Sequence, residues 1–291
     1  MSRLQFVTRI PERNLRRTDT EDLDVYDMCA LSADEVLLAC GAAGLRVVSL
    51  HTAQLAAHEP TAIRDYFVSR MAFDAHSDTL LLLVRVTTDY YKGDNCQLVS
   101  LRRNASEWLE VQRIDTRISY DSSLVDAHNI AVCDSRVLLY SYEEAGLNAM
   151  QVFDVSAEHK LRAAGNVTLP SDIYEMIACT RRDGVTLVAF SNDTSVSLLR
   201  LTSLLLHRES LTSVSLTAPR RLLFRGDLLL VADWNRDPDM IVSFRVSGNA
   251  LTERQVLLDE AGVRVEAWAL ASDRLVLWNE EPEELLVYAF T

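Results

Sequence analysis

An all-β chain of six repeated, four-stranded antiparallel units is the fold this sequence predicts, on three observations. Short apolar runs recur in a fixed order at intervals of 44 to 54 residues. No segment of convincing length carries the 3.6-residue period of an amphipathic helix. The last unit lacks a strand, and the N-terminus has one to spare. Together they predict a six-bladed β-propeller, a single domain over residues 1–291.

The repeat is plainest where Asp24-Val-Tyr-Asp-Met28 returns as Asp172-Ile-Tyr-Glu-Met176, each followed by an apolar piece, a polar turn and a second apolar run. The same pair of runs occurs at Val68–Val84, His128–Tyr140, Arg221–Ala232 and Val265–Trp278. A third run follows each pair. Aligned at Ser49, Ser100, Asp154, Arg200, Arg245 and Ala289, the third runs are spaced by 51, 54, 46, 45 and 44 residues, the period of a propeller blade. A fourth, more polar run closes most units: Trp108–Ile114, Leu161–Val167, Leu204–Val214 and Leu251–Leu258. The first two runs are almost wholly apolar, as strands buried on both faces should be, while the outer two alternate. The blades are expected at about 24–58, 68–114, 125–167, 172–214, 218–258 and 263–291.

The final unit ends on its third run, Leu285–Phe290, and residues 3–10 form an extra strand that resembles Trp108–Ile114. That strand is predicted to complete the last blade and so remove an exposed sheet edge. Two short segments, Pro60–Tyr66 and Asp259–Ala261, are the best helical candidates, at one or two turns each. With nine glycines in 291 residues, the turns fall to Asp, Asn, Ser and Arg.

On these features the whole chain resembles the WD40-like and YncE-like propellers, in architecture alone. The Gly-His and Trp-Asp signatures of WD40 repeats and the Gly-Gly doublets of kelch repeats are missing. The resemblance implies a binding rim made by the loops between second and third strands together with those joining one blade to the next. Here that rim is acidic and aromatic. Its candidate partner-binding residues are Tyr90, Tyr142, Glu143, Glu144, Trp234, Asn235, Arg236, Trp278, Asn279 and Glu280. Aromatic anchors flanked by carboxylates suit a Lys- or Arg-bearing peptide. Trp234-Asn235 and Trp278-Asn279 look like a shared loop design, and the competing reading is that such a Trp packs between blades while the Asn makes the turn.

Charge narrows the partners. Twenty-nine basic against 42 acidic residues leave a formal charge of −13, which disfavours phosphate backbones and anionic lipid. The expected partner is a protein or peptide with a basic segment. The chain is expected to be a monomer or one member of a larger complex. No signal-like stretch opens it, and five cysteines without a CxxC spacing suit a reducing compartment, so the expected location is the cytoplasm and the three N-x-S/T triplets are expected to be unmodified.

Nothing in the sequence has the spacing of a known catalytic motif, and no cofactor is expected. Cys29, Cys133 and Cys179 fall late in first strands and suggest one small buried position repeated by blade geometry. Some six-bladed propellers are calcium-dependent, lactonase-like hydrolases. On that alternative reading Asp24, Asp126, Asn129, Asp172, Glu175 and Glu266, near the starts of first strands, would supply the oxygen ligands a hard cation needs.

Overall fold

In the computed structural model of the chain, residues 3–18, 23–41, 43–56, 67–85, 96–104, 107–116, 118–120, 123–125, 127–142, 148–169, 176–202, 207–234 and 239–291 are described. Strand β1 (Leu4–Pro11) is followed by a 3-10 turn, Glu12–Asn14. Blade one is β2 (Asp27–Ala30), β3 (Glu35–Ala39), β4 (Leu45–Ser49) and β5 (Gln54–Leu55). Blade two is β6 (Phe67–Asp74), β7 (Thr79–Arg85), β8 (Cys96–Asn104) and β9 (Glu107–Asp115). A hairpin, β10 (Ile118–Tyr120) and β11 (Ser123–Val125), precedes blade three: β12 (Ala127–Cys133), β13 (Arg136–Tyr142), β14 (Asn148–Val155) and β15 (Leu161–Thr168). Blade four is β16 (Met176–Arg182), β17 (Val185–Asn192), β18 (Ser195–Thr202) and β19 (His207–Ser215). Blade five is β20 (Pro219–Arg225), β21 (Leu228–Asp233), β22 (Met240–Ser247) and β23 (Ala250–Asp259). Blade six is β24 (Val265–Ala271), β25 (Arg274–Asn279), β26 (Glu284–Phe290) and the N-terminal β1. The fold is thus a six-bladed β-propeller of four-stranded antiparallel blades.

The chain divides into two compact units, Met1–Arg117 with Gly262–Thr291, and Ile118–Ala261. In the first unit β1 closes blade six as the sequence predicts. Its register on β26 runs from Leu4 opposite Phe290 to Pro11 opposite Glu284, with Val7 left out of the pairing. Arg3 and Thr291 extend the ladder with bonds of 3.0 and 2.9 Å. The inner strands are apolar on both faces because both are covered: Leu80, Leu81, Leu82, Leu83 and Val84 of β7 are all 0% exposed. Each such side chain contributes about 1.5–3 kcal/mol of burial. A core between blades one and two joins Leu37, Val47, Val68, Leu82 and Trp108. Arg103 to Glu35 at 3.5 Å and Arg274 to Asp34 at 3.3 Å tie blades two and six to blade one.

The second unit repeats the scheme. One core lies between blades three and four, around Tyr140, Val152, Val188 and Leu199, and another between blades four and five, around Ala189, Leu198, Val231 and Phe244. First hairpins turn on two residues, as at Asp134-Ser135 and Asp183-Gly184, all four with φ between 45° and 77°. Such left-handed pairs match the twist of the strands they join. Asp and Ser do this in a chain poor in glycine.

Two features depart from the sequence reading. Asp259 is the last residue of β23 and Ala261 is in a turn, so no helix forms there; 60–66 lie outside the described residues. Ser100 pairs with Leu81, whereas the rung equivalent to Arg136–Asp154 and Arg274–Ala289 in blade two is Thr79–Arg102. The alignment of third runs is therefore displaced by two residues in that blade, and likewise in blade four, where Arg200 pairs with Leu187, two rungs in from the Arg182–Val185 turn.

Candidate functional site

A β-bulge opens the first strand of four blades at one place. The ladder skips from Val68 to Arg70, Ala127 to Asn129, Pro219 to Arg221 and Val265 to Ala267. The residues pushed out are Ser69, His128, Arg220 and Glu266. A bulge re-aims a side chain at the end of a sheet, and in blade five it builds the best-defined feature of that sheet end.

There Pro219, Asp233, Met240 and Asp259 form the last rung across all four strands. Asp233 is 1% exposed, and its carboxylate accepts the backbone N–H of Ala218 at 2.7 Å and of Thr217 at 3.1 Å. A buried carboxylate is tolerable only with such donors. The next residue, Trp234, donates its own N–H to the Ala218 carbonyl at 2.9 Å. With its backbone held, Trp234 keeps its side chain 42% exposed, one of four large apolar residues on the surface of the described chain. The bulged Arg220 lays its guanidinium carbon 3.3 Å from the indole centroid. Asp259 and Glu260 stand exposed at the outer edge of the same sheet end.

The corresponding rung of blade six is Val265, Asn279, Glu284 and Pro11. Asn279, 2% exposed, takes the place of Asp233. Its Oδ1 accepts the Arg264 N–H at 2.6 Å, and its Nδ2 donates to the carbonyls of Gly262, Glu281 and Pro282 at 3.3, 3.2 and 3.4 Å. Glu280, exposed, holds the position of Trp234 and bonds the Arg264 carbonyl at 3.3 Å. Trp278 sits one residue earlier and is 3% exposed. The two Trp-Asn pairs are therefore one residue out of phase: one indole lies in the core, the other at the surface. Around this end Arg264 pairs with Glu281 at 3.5 Å, Arg9 with Glu284 at 3.7 Å, and Arg16 with Glu12 and Glu283.

Blade one meets blade two through Gly41, bridged to Val68, and through Tyr26 and Phe67, whose rings meet edge to face at 4.8 Å. Arg70 donates to the Tyr26 carbonyl at 3.1 Å, and the Asp27 carboxylate accepts the Met71 N–H at 2.8 Å.

Of the remaining sequence candidates, Tyr90, Glu143, Glu144, Asn235, Arg236, Asp126, Asp172 and Glu175 lie outside the described residues. Tyr142 ends β13, where its backbone pairs with Asn148. In the first unit Asp24 is exposed and Glu266 half-buried; in the second, Asn129 is buried with its Oδ1 accepting the Ile130 N–H at 2.8 Å. Among the described residues no group of three or more His, Cys, Asp or Glu is placed to hold a metal ion, and no helix is long and apolar enough to cross a membrane. All five cysteines are free thiols. Cys29, Cys133 and Cys179 do not share a position: Cys133 is on the rung beside its hairpin turn, opposite Arg136, while Cys179 pairs three rungs away from its own. Burial, and then the charge of Asp27, push the Cys29 thiol well above its ordinary value. Sequence reasoning missed Arg220, Tyr26 and Phe67. For Arg220 the only signal was a charged Pro-Arg-Arg at the head of an apolar strand.

No protein-family model matches the sequence, and no curated protein is similar to it. Solved structures are similar in fold. The β-propeller domain of Cps50 (Swd1) from Myceliophteria thermophila matches with a TM-score of 0.55 at 10% identity, over 92% of this chain and 84% of that one. The PQQ-bound aldose sugar dehydrogenase of Streptomyces coelicolor matches with 0.63 at 12% identity, over 100% and 99%. A chain of a mitotic checkpoint complex matches with 0.56 at 11% identity, over 98% and 94%. At such identities the likeness extends to the fold.

Proposed function

We propose that this protein is a non-catalytic scaffold that takes a protein or peptide partner on the loop-bearing ends of its blades, with Trp234 as an anchor. The observation that carries this reading is an indole left 42% exposed although its own backbone is locked by Asp233 and Ala218. A large aromatic on a rigid support loses little conformational entropy when a partner covers it, which is the character of a binding hot spot. The formal charge of −13 favours a partner with a basic segment, and carboxylates such as Asp259 and Glu280 stand exposed on the blade ends to meet it. That one structural neighbour belongs to a mitotic checkpoint complex supports protein association as a use of this fold.

Comparative capture tests the proposal. The full chain and its Trp234→Ala variant are used as paired baits, with Glu158→Gln as control. Glu158 is exposed in the turn between β14 and β15, at the opposite end of its blade. Partners held by the wild type and the control, and lost from Trp234→Ala, are the expected result. Partners retained by Trp234→Ala would contradict it.

A further inference from the structure

The blade-five end does not offer its indole to a cation, because one face already carries Arg220. A second cation brought to the ring would meet that charge. The guanidinium, in turn, makes no hydrogen bond or ion pair among the described residues; Arg220 is exposed, and the indole supports one face of its guanidinium. A flat, oriented guanidinium with no partner among the described residues has the geometry that receives a carboxylate through two parallel N–H bonds. Three features hold it in place: the bulge that expels Arg220 from the β20 ladder, the Asp233 carboxylate that fixes the two residues just before the strand, and the Trp234–Ala218 bond. Asp259 lies on the same rung but at the outer strand, three strand spacings or ~14 Å away. The sheet end therefore has a positive inner side and a negative outer side.

We propose that this end of blade five is a carboxylate receptor: Arg220, stacked on Trp234, takes a carboxylate of the partner peptide, and Asp259 takes a cationic residue about four positions along the extended chain. This rests on the rim-binding reading and adds the chemistry of the ligand to it. It also inverts, at one place, the preference for positive charge that the net charge of the protein suggests.

Two measurements on the full chain test it. The first needs no partner. Trp108, Trp268 and Trp278 are at most 5% exposed, so Trp234 dominates collisional quenching of indole fluorescence. With each quenching constant normalised to that of free N-acetyltryptophanamide, iodide should retain a larger fraction than caesium, despite the acidic protein, and Arg220→Gln should reverse that order. A larger normalised constant for caesium in the wild type overturns the inference. The second uses acetylated, amidated octapeptides of neutral frame that carry Lys and, four residues away, Glu, Gln or Lys, together with a Gln–Lys peptide having a free C-terminus. The Glu peptide should bind roughly tenfold tighter than the Gln peptide, and Arg220→Gln should remove the difference. Arg220→Lys, which keeps the charge without the fork, should restore only part of it. A free terminus that matches Glu identifies the carboxylate as terminal. A Gln peptide that binds as well as Glu and is lost on Trp234→Ala overturns the receptor and leaves the rim reading standing. If none of the peptides binds, the quenching order alone decides. Arg220 is exposed, so the variants should keep the wild-type melting temperature.

Discussion

The Asp233 carboxylate, buried at the last rung of blade five, accepts the Ala218 N–H at 2.7 Å and so fastens the incoming strand to the outgoing loop. Trp234 stands on that fastening. Replacing Asp233 with Ala should cost about 2–4 kcal/mol, because two backbone donors lose their acceptor. Asp233→Asn should lose about half as much, since Asn279 does the same work in blade six. Chemical denaturation of the three proteins checks this.

Gly41 separates two causes of glycine retention. A Cβ there would lie 2.6 Å from Tyr26 Cε2 and 2.8 Å from Phe67 Cε2, at φ +53°; at Gly44, φ +80°, it would meet nothing within 4 Å. Gly44→Ala should cost about 1 kcal/mol from backbone strain alone. Gly41→Ala should cost about 1–3 kcal/mol more, from overpacking against the two rings. Equal losses in thermal unfolding would contradict the close contact.

The closing strand makes its own prediction. Ile10 is 0% exposed opposite Leu285, whereas Val7, skipped by the ladder, is 52% exposed. Ile10→Ala should lose about 2–5 kcal/mol and Val7→Ala less than about 0.5 kcal/mol. If β1 were not sewn into blade six, neither would matter.

Glu110 gives a dependence on pH with a definite sign. Its hydrogen bonds from Arg113, at 2.7 and 3.0 Å, hold its carboxyl below the ordinary 4.5. The pair's contribution is therefore fully present above 4.5 and is lost as pH falls through the depressed folded value. The pair is on the surface, so Glu110→Gln should destabilise by only about 0.5 kcal/mol at neutral pH. The gap in unfolding midpoint should close under acid conditions.

How far the sequence spoke depended on what each signal measures. Apolar runs, turn residues and the spare strand at residues 3–10 report burial and topology, and those were readable to within a few residues. Register was not. Alternation in a strand has a period of two, so it is blind to a two-residue displacement such as that between Ser100 and Arg102. The Trp-Asn pairs failed differently. A matching dipeptide says nothing of where a strand ends, and a one-residue offset turned Trp278 inward and left Trp234 out. The bulge that lifts Arg220 onto Trp234 is set by the packing of a whole blade and has no local mark in the sequence.

The most direct test of the binding rim is a photoreactive phenylalanine analogue placed at position 234 of the full chain, with the same residue at position 158 as reference. On irradiation in the presence of cell extract, the account predicts a discrete covalent adduct at position 234 and none at 158. Adducts at 158 alone, or the same adducts at both, would contradict it.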